Sequence, residues 1–142
     1  MPRLSILNFV IGFCVLGLSS ASGVFLANDI TAGFIKDPAI LNGWELSLHR
    51  SAHGHTNLFG MLHVLMGLTF PYSVLGASAK KFQTMGLAAG TAAMSIGLFI
   101  KGLRAPNFDP TVLDVGIGIA LSLALLAVGM HIFGLTARLM RP

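Results

Sequence analysis

The chain has 142 residues, 54% of them hydrophobic and 10% charged, with a mean hydropathy of +0.81. Soluble domains carry about 25% charged residues, so this composition excludes an ordinary soluble domain and leaves no length for a large one beside membrane spans. The formal charge is +4 and the isoelectric point 9.9. The basic residues gather at the ends of apolar runs, with no basic stripe interleaved with aromatics, which excludes a nucleic-acid partner.

A membrane span needs about 20 mostly apolar residues, and the sequence has room for four. The first is expected over Leu4–Ala27. Its start could be taken for a signal peptide, but the apolar run is long and "SSASG" is a weak cleavage site, so it reads as a retained span. Cys14 lies within it. As the only cysteine it can form neither an internal disulfide nor a thiolate cluster, and it reads as a small buried apolar residue. The segment from Asn28 to Arg50 reads as the longest loop. Pro38, the Asn42-Gly43 pair and Trp44 suggest a turn and an interfacial aromatic anchor, with room for a short surface helix.

The second span is expected over Arg50–Leu75, the third over Phe82–Ile100 and the fourth over Val112–Ala137. Pro106 and Pro110 make the last connection tight. Gly86, Gly90 and Gly97 with Ala93 place small residues on one face of the third span, as close helix packing requires. Gly116, Gly118 and Gly129 invite the same reading in the fourth, although a flat cofactor needs equally close approach. Arg3, Lys80, Lys81, Arg138 and Arg141 fall at the N-terminus, the second connection and the C-terminus. By the positive-inside rule these lie in the cytoplasm, so both termini are cytoplasmic and the first and third connections face outward. The expected fold is an all-α membrane protein, a single four-helix transmembrane bundle over residues 1–142.

Four of the five histidines crowd into "HRSAHGHTNLFGMLHVLMG" (49–67). At about 100° per residue, His53, Thr56, Gly60, His63, Gly67 and Pro71 share a small, polar stripe that should face the bundle rather than lipid. His49 joins it if the helix starts early. His55 lies on a bulkier stripe with Phe59, Leu62, Met66 and Thr69. His63 is roughly 12 Å deeper than His55, near mid-membrane, where ionisable residues are functional or well paired. His131 in the fourth span sits on another level. Three chemistries fit such histidines. Imidazole is a common axial ligand of haem iron, and Gly60 and Gly67 beside His63 would leave room for the macrocycle. Imidazoles also bind zinc or copper, although no carboxylate or thiolate completes such a site; His53, His55 and His63 are the metal candidates. A histidine ladder could also relay protons. No catalytic constellation is evident, so a stand-alone enzyme is not expected.

The segment "HTNLFGMLHVLMG" resembles the second span of the catalytic subunit of the haem-copper oxidase superfamily, nearest its cbb3-type oxidase and nitric oxide reductase branches. The likeness covers about 20 residues. It implies that His55, followed by Thr56 and Asn57, is an axial ligand of a low-spin b-type haem near the outer face, with Arg50 before it. The superfamily's roughly twelve spans and six histidines are not here, which argues against oxygen or nitric oxide reduction and for a haem half-site completed by another helix or subunit. His131 or Met94 could supply the opposite ligand, and Arg50 and Arg104 could meet the propionates. The expectation is therefore a small b-type haem-binding protein of the bacterial inner membrane. It would act in electron transfer or as an accessory subunit of a respiratory-type complex, in a homo-oligomer or a larger assembly. The alternatives are a cofactor-free structural subunit and a small proton-coupled transporter.

Overall fold

A computed structural model describes residues 2–106 and 109–140; Arg141 of the charge pattern, and Asn107 and Phe108 of the last connection, lie outside the described residues. Among those described the chain is helical, with no strand. Its long helices are α1 (Arg3–Lys36), α2 (Trp44–Thr69), α3 (Ala77–Gly102) and α4 (Val112–Leu139). Of these, α1, α3 and α4 are long and apolar enough to cross a membrane. The fourth, α2, has 26 residues, but Glu45, Arg50 and the histidines make its first half polar.

The boundaries correct the first loop. Helix α1 does not stop at Ala27 but continues through Asn28, Asp29 and Thr31 to Lys36. Nothing in that stretch breaks a helix, and the Thr31 hydroxyl donates to the Ala27 carbonyl at 2.8 Å. The break comes at Asp37-Pro38, where the Asp37 carboxylate accepts from the Ala39 N–H at 2.9 Å and Pro38 opens a 3₁₀ turn, Pro38–Asn42. Helix α2 then starts at Trp44 rather than Arg50, with Glu45 favourably placed in its first turn. The long loop thus becomes two helix ends and a short turn. Helix α2 also ends earlier than expected, at Thr69, because Pro71 falls in a 3₁₀ turn, Phe70–Tyr72. Helix α3 starts before Phe82, at Ala77, and widens into a π-turn over Ala93–Gly97. Thr111 and Asp114 cap α4 reciprocally: the Thr111 hydroxyl accepts from the Asp114 N–H while the Asp114 carboxylate accepts from the Thr111 N–H.

Helices α2 and α3 form the centre, with α1 packed chiefly on α2 and α4 chiefly on α3. Glycines set both contacts. A Cβ on Gly12 would come within 2.8 Å of the Gly60 carbonyl oxygen, one on Gly60 within 2.8 Å of Leu16 Cγ, and one on Gly67 within 2.9 Å of the Ser5 carbonyl oxygen. The room foreseen beside His63 for a macrocycle is therefore filled by α1. Gly86 meets the Leu123 carbonyl, Gly90 meets Ala124 and Gly97 meets Ile117, so the third-span glycines serve helix packing. Gly116, Gly118 and Gly129 face open space. A buried cluster of Phe59, Met66, Phe70, Leu87, Met94, Ala124 and Ala127 fills the centre, while large apolar side chains such as Phe13, Phe25, Ile119 and Phe133 cover the outside. Cys14 is on that outside surface rather than buried, because Gly12 and Val15, not Cys14, turn toward α2 and α3.

These contacts place Arg3, Lys80, Lys81 and Arg138 at one end of the bundle. There Ser5 meets Gly67, Asn8 meets Thr84 and Ser73 meets Gly134. The other end holds Trp44, His49, Lys101 and Asp114. Lys101 pairs with Asp114, its ammonium lies 5.9 Å from the Trp44 ring centroid, and the Trp44 indole N–H donates to the Arg104 carbonyl at 3.1 Å.

Candidate functional site

The five histidines divide by what their ring nitrogens meet. His63 is fully buried. Its Nδ1–H donates to Asn8 Oδ1 at 2.8 Å, and the Asn8 amide donates in turn to the Leu4 carbonyl and to Thr84 Oγ1, each at 2.8 Å. Its Nε2 lies 3.3 Å from Thr91 Oγ1, whose hydroxyl is also 2.9 Å from the Leu87 carbonyl. One network thus joins α1, α2 and α3 and takes up both nitrogens.

His131 repeats the pattern on the other flank. Its Nδ1–H donates to Gln83 Oε1 at 3.2 Å, its Nε2 is 2.7 Å from Thr69 Oγ1, and Phe70 packs edge-on at 5.4 Å between ring centroids. This network is less complete, for Gln83 Nε2 is buried without a hydrogen-bond partner among the described residues. The two sites sit eight positions apart on α3, roughly 12 Å. His63 and His131 therefore do not face one another across a common centre.

At the opposite end the histidines are half-buried. His49 stacks on Phe99, 4.3 Å between centroids, and its Nε2–H donates to the Phe99 carbonyl at 3.3 Å. Its Nδ1 is 4.0 Å from the Glu45 carboxylate. It fits because Gly102 of α3 carries no side chain: a Cβ there would lie 2.8 Å from the imidazole. His53 sits in the same way over Gly23 of α1. Its Nδ1–H donates to Ser19 Oγ at 3.2 Å, and its Nε2 accepts from the Asn57 amide at 3.3 Å. His55 turns elsewhere. Its Nδ1–H donates to the Ser51 carbonyl one turn back, at 2.8 Å, and its Nε2 has no hydrogen-bond partner among the described residues.

Between α1, α2 and α3 runs a cavity of about 650 Å³. His49, His53 and Thr56 line it from α2, Ser19 and Asp29 from α1, and Thr91 and Ser95 from α3. Ser95 belongs to the π-turn and accepts from the Thr56 hydroxyl at 2.7 Å; such π-turns recur at functional sites. Thr91 at the floor connects the cavity to His63.

Of the other residues singled out from sequence, Met94 is in the central apolar cluster, and Arg50 and Arg104 are exposed at the His49 end. The structure thus brings His49 and His53 to the cavity, and it keeps His55, His63, His131 and Met94 off it. Among the described residues no three of His, Cys, Asp and Glu gather as a metal site. The residues missed from sequence are the polar partners Asn8, Gln83, Thr84 and Thr91. Asn8 and Thr91 are single polar residues among apolar and small neighbours, and Gln83-Thr84 is a polar pair just inside Lys80-Lys81; their cost in lipid was the available signal.

No family model, curated protein or solved structure matches the chain.

Proposed function

We propose that the chain is a four-span membrane protein that carries one half of a b-type haem site on the outer part of α2, with His55 as the axial ligand. It would serve electron transfer or act as an accessory subunit of a respiratory-type complex. In this reading α2 is the fourth span. The end bearing Arg3, Lys80, Lys81 and Arg138 is cytoplasmic, as are both termini, in a bacterial inner membrane.

The observation that carries it is the state of the His55 ring. A metal-bound imidazole keeps its other N–H on a carbonyl or carboxylate, which fixes the tautomer and the ring orientation. His55 has that arrangement, Nδ1–H on the Ser51 carbonyl and Nε2 without a partner. His53, His63 and His131 have both nitrogens engaged; His49 also has one N–H on a carbonyl, but its ring is stacked on Phe99 and its other nitrogen lies 4.0 Å from the Glu45 carboxylate. The donor set fits one axial ligand and not two, so the opposite ligand belongs to another chain, of which a second copy is the simplest case. Arg50 and Arg104 offer guanidinium groups at the same end for carboxylates. A bound haem supplies one-electron transfer. The protein's part is to hold the ring, fix its tautomer and keep the inner half of the bundle dry.

The test is the visible spectrum of protein purified after expression with ample haem. The reading expects a Soret band at half a haem per chain if two copies share it. Absence of the band under those conditions overturns it and favours a cofactor-free structural subunit.

A second reading, a proton-coupled transporter, draws support from the hydrogen-bonded run Thr91–His63–Asn8–Thr84, which leads from the cavity floor toward Lys80. A proton-flux assay in liposomes tests it: flux lost in His63→Gln supports it, and no flux in the parent protein removes it.

A further inference from the structure

The cavity between α1, α2 and α3 is separate from His55, and its shape and charge point to a ligand of its own. It extends from Ile11 to Asp29 along α1, about five turns or roughly 27 Å, and from Ala88 to Phe99 along α3. A volume of about 650 Å³ drawn out in this way is a groove with the width of a hydrocarbon chain, not a chamber for a globular ligand. Its inner stretch is walled by Ile11, Val15, Ala88 and Ala92. Ser19, His53, Thr56 and Ser95 line its middle, Thr91 its floor, and Asp29, His49 and Phe99 its other end.

Charge selects the head of that ligand. The chain carries nine lysines and arginines against five acidic residues, yet among the described residues no lysine or arginine lines the groove, and Asp29 is its one carboxylate. Asp29 has no ion-pair partner among the described residues. The stacked His49–Phe99 pair adds an aromatic face, which attracts a cation. The His49 Nδ1 is an open acceptor, because Nε2 carries the proton given to the Phe99 carbonyl. Arg50, Lys101 and Arg104 stand at the same end but do not line the groove; within it a carboxylate or phosphate head would meet the like charge of Asp29, whereas an ammonium finds a complementary one.

We propose that this groove binds a single-chain amphiphile with a protonated amine head, the ammonium at Asp29 and the chain running inward past Val15. The site does not depend on haem.

The test uses the full chain in phosphatidylcholine liposomes with two photo-crosslinking probes. These are hexadecylammonium and hexadecanoate, each with a diazirine at the far end of its chain, and labelled residues are read by peptide mass spectrometry. The ammonium probe is expected to label Val15 and Ala88 about tenfold more than the carboxylate probe does, a difference of about 1.4 kcal/mol, and excess unlabelled hexadecylammonium should compete. Asp29→Asn, at an exposed position, should bring the two probes to within about twofold. Ala88→Trp should fill the groove and abolish its labelling, while helix content by circular dichroism and labelling of the outward-facing Leu125 persist. Labelling of Val15 and Ala88 no stronger than that of Leu125, equal labelling by both probes, or full labelling in Ala88→Trp would each overturn the proposal and leave an ordinary boundary lipid.

Discussion

The two ends of this bundle use the same side chain in opposite ways. At the end bearing Lys80, here called inner after the proposed orientation, His63 and His131 are buried, with an amide oxygen on one ring nitrogen and a threonine hydroxyl at the other. At the outer end His49 and His53 border a cavity and rest on glycines of neighbouring helices, and His55 keeps one nitrogen free. Imidazole alone does not decide between structure and function. What decides is whether the neighbouring helices bring partners for both nitrogens. In apolar surroundings an unpaired donor costs more than a hydrogen bond returns, so the inner histidines act as ties between helices. At His55, half-buried and with only its own helix turn on one nitrogen, the other nitrogen can wait for a ligand.

That contrast predicts a graded set of mutational effects. The largest belongs to Asn8→Leu, which strands the His63 N–H and takes away the amide donor that the Thr84 hydroxyl oxygen accepts from. It should cost about 2 kcal/mol of stability, read by reversible unfolding in mixed micelles. Combining it with His63→Leu should cost less than the sum of the two single changes, since the same network is lost once. Gln83→Leu comes next, at about 1 kcal/mol, because it removes an acceptor from His131 but also removes a buried amide nitrogen that has no partner. If Gln83→Leu proved costlier than Asn8→Leu, the ranking of the two inner networks would be reversed. Lys101→Met, which breaks the pair with Asp114 and the contact with Trp44, should cost under about 1 kcal/mol at this partly exposed site. His55→Ala should be smallest, within about 0.5 kcal/mol, since its ring hydrogen-bonds only to Ser51 one turn back among the described residues.

Much of the fold could be read from sequence. The apolar runs placed all four helices, with the start of α4 at Val112 as expected. The glycines of α3 pointed to close helix packing, and the structure shows the partner to be α4. The reading failed where polarity stood in for helix breaking: Asn28, Asp29 and Thr31 looked like a loop, yet a helix tolerates them until Pro38 removes an N–H. The sites were less legible. The depth of His63 could be counted along the helix, but its partners are 55 positions away at Asn8 and 28 away at Thr91, and no local pattern links them. The room imagined beside Gly60 and Gly67 was real on α2 alone; only the path of α1 shows that it is filled. The π-turn that carries Ser95 to Thr56 has no marker in the run "AAMSIG".

The account's central claim is that the outer end of α2 holds the working histidine and the inner end the structural ones. The most direct measurement is bound haem per chain, from the Soret absorbance of purified, folded His55→Ala and His63→Ala proteins. The account predicts that His55→Ala loses the band at near-parent stability, while His63→Ala keeps it in whatever fraction remains folded. Haem retained in His55→Ala and lost from well-folded His63→Ala would contradict it.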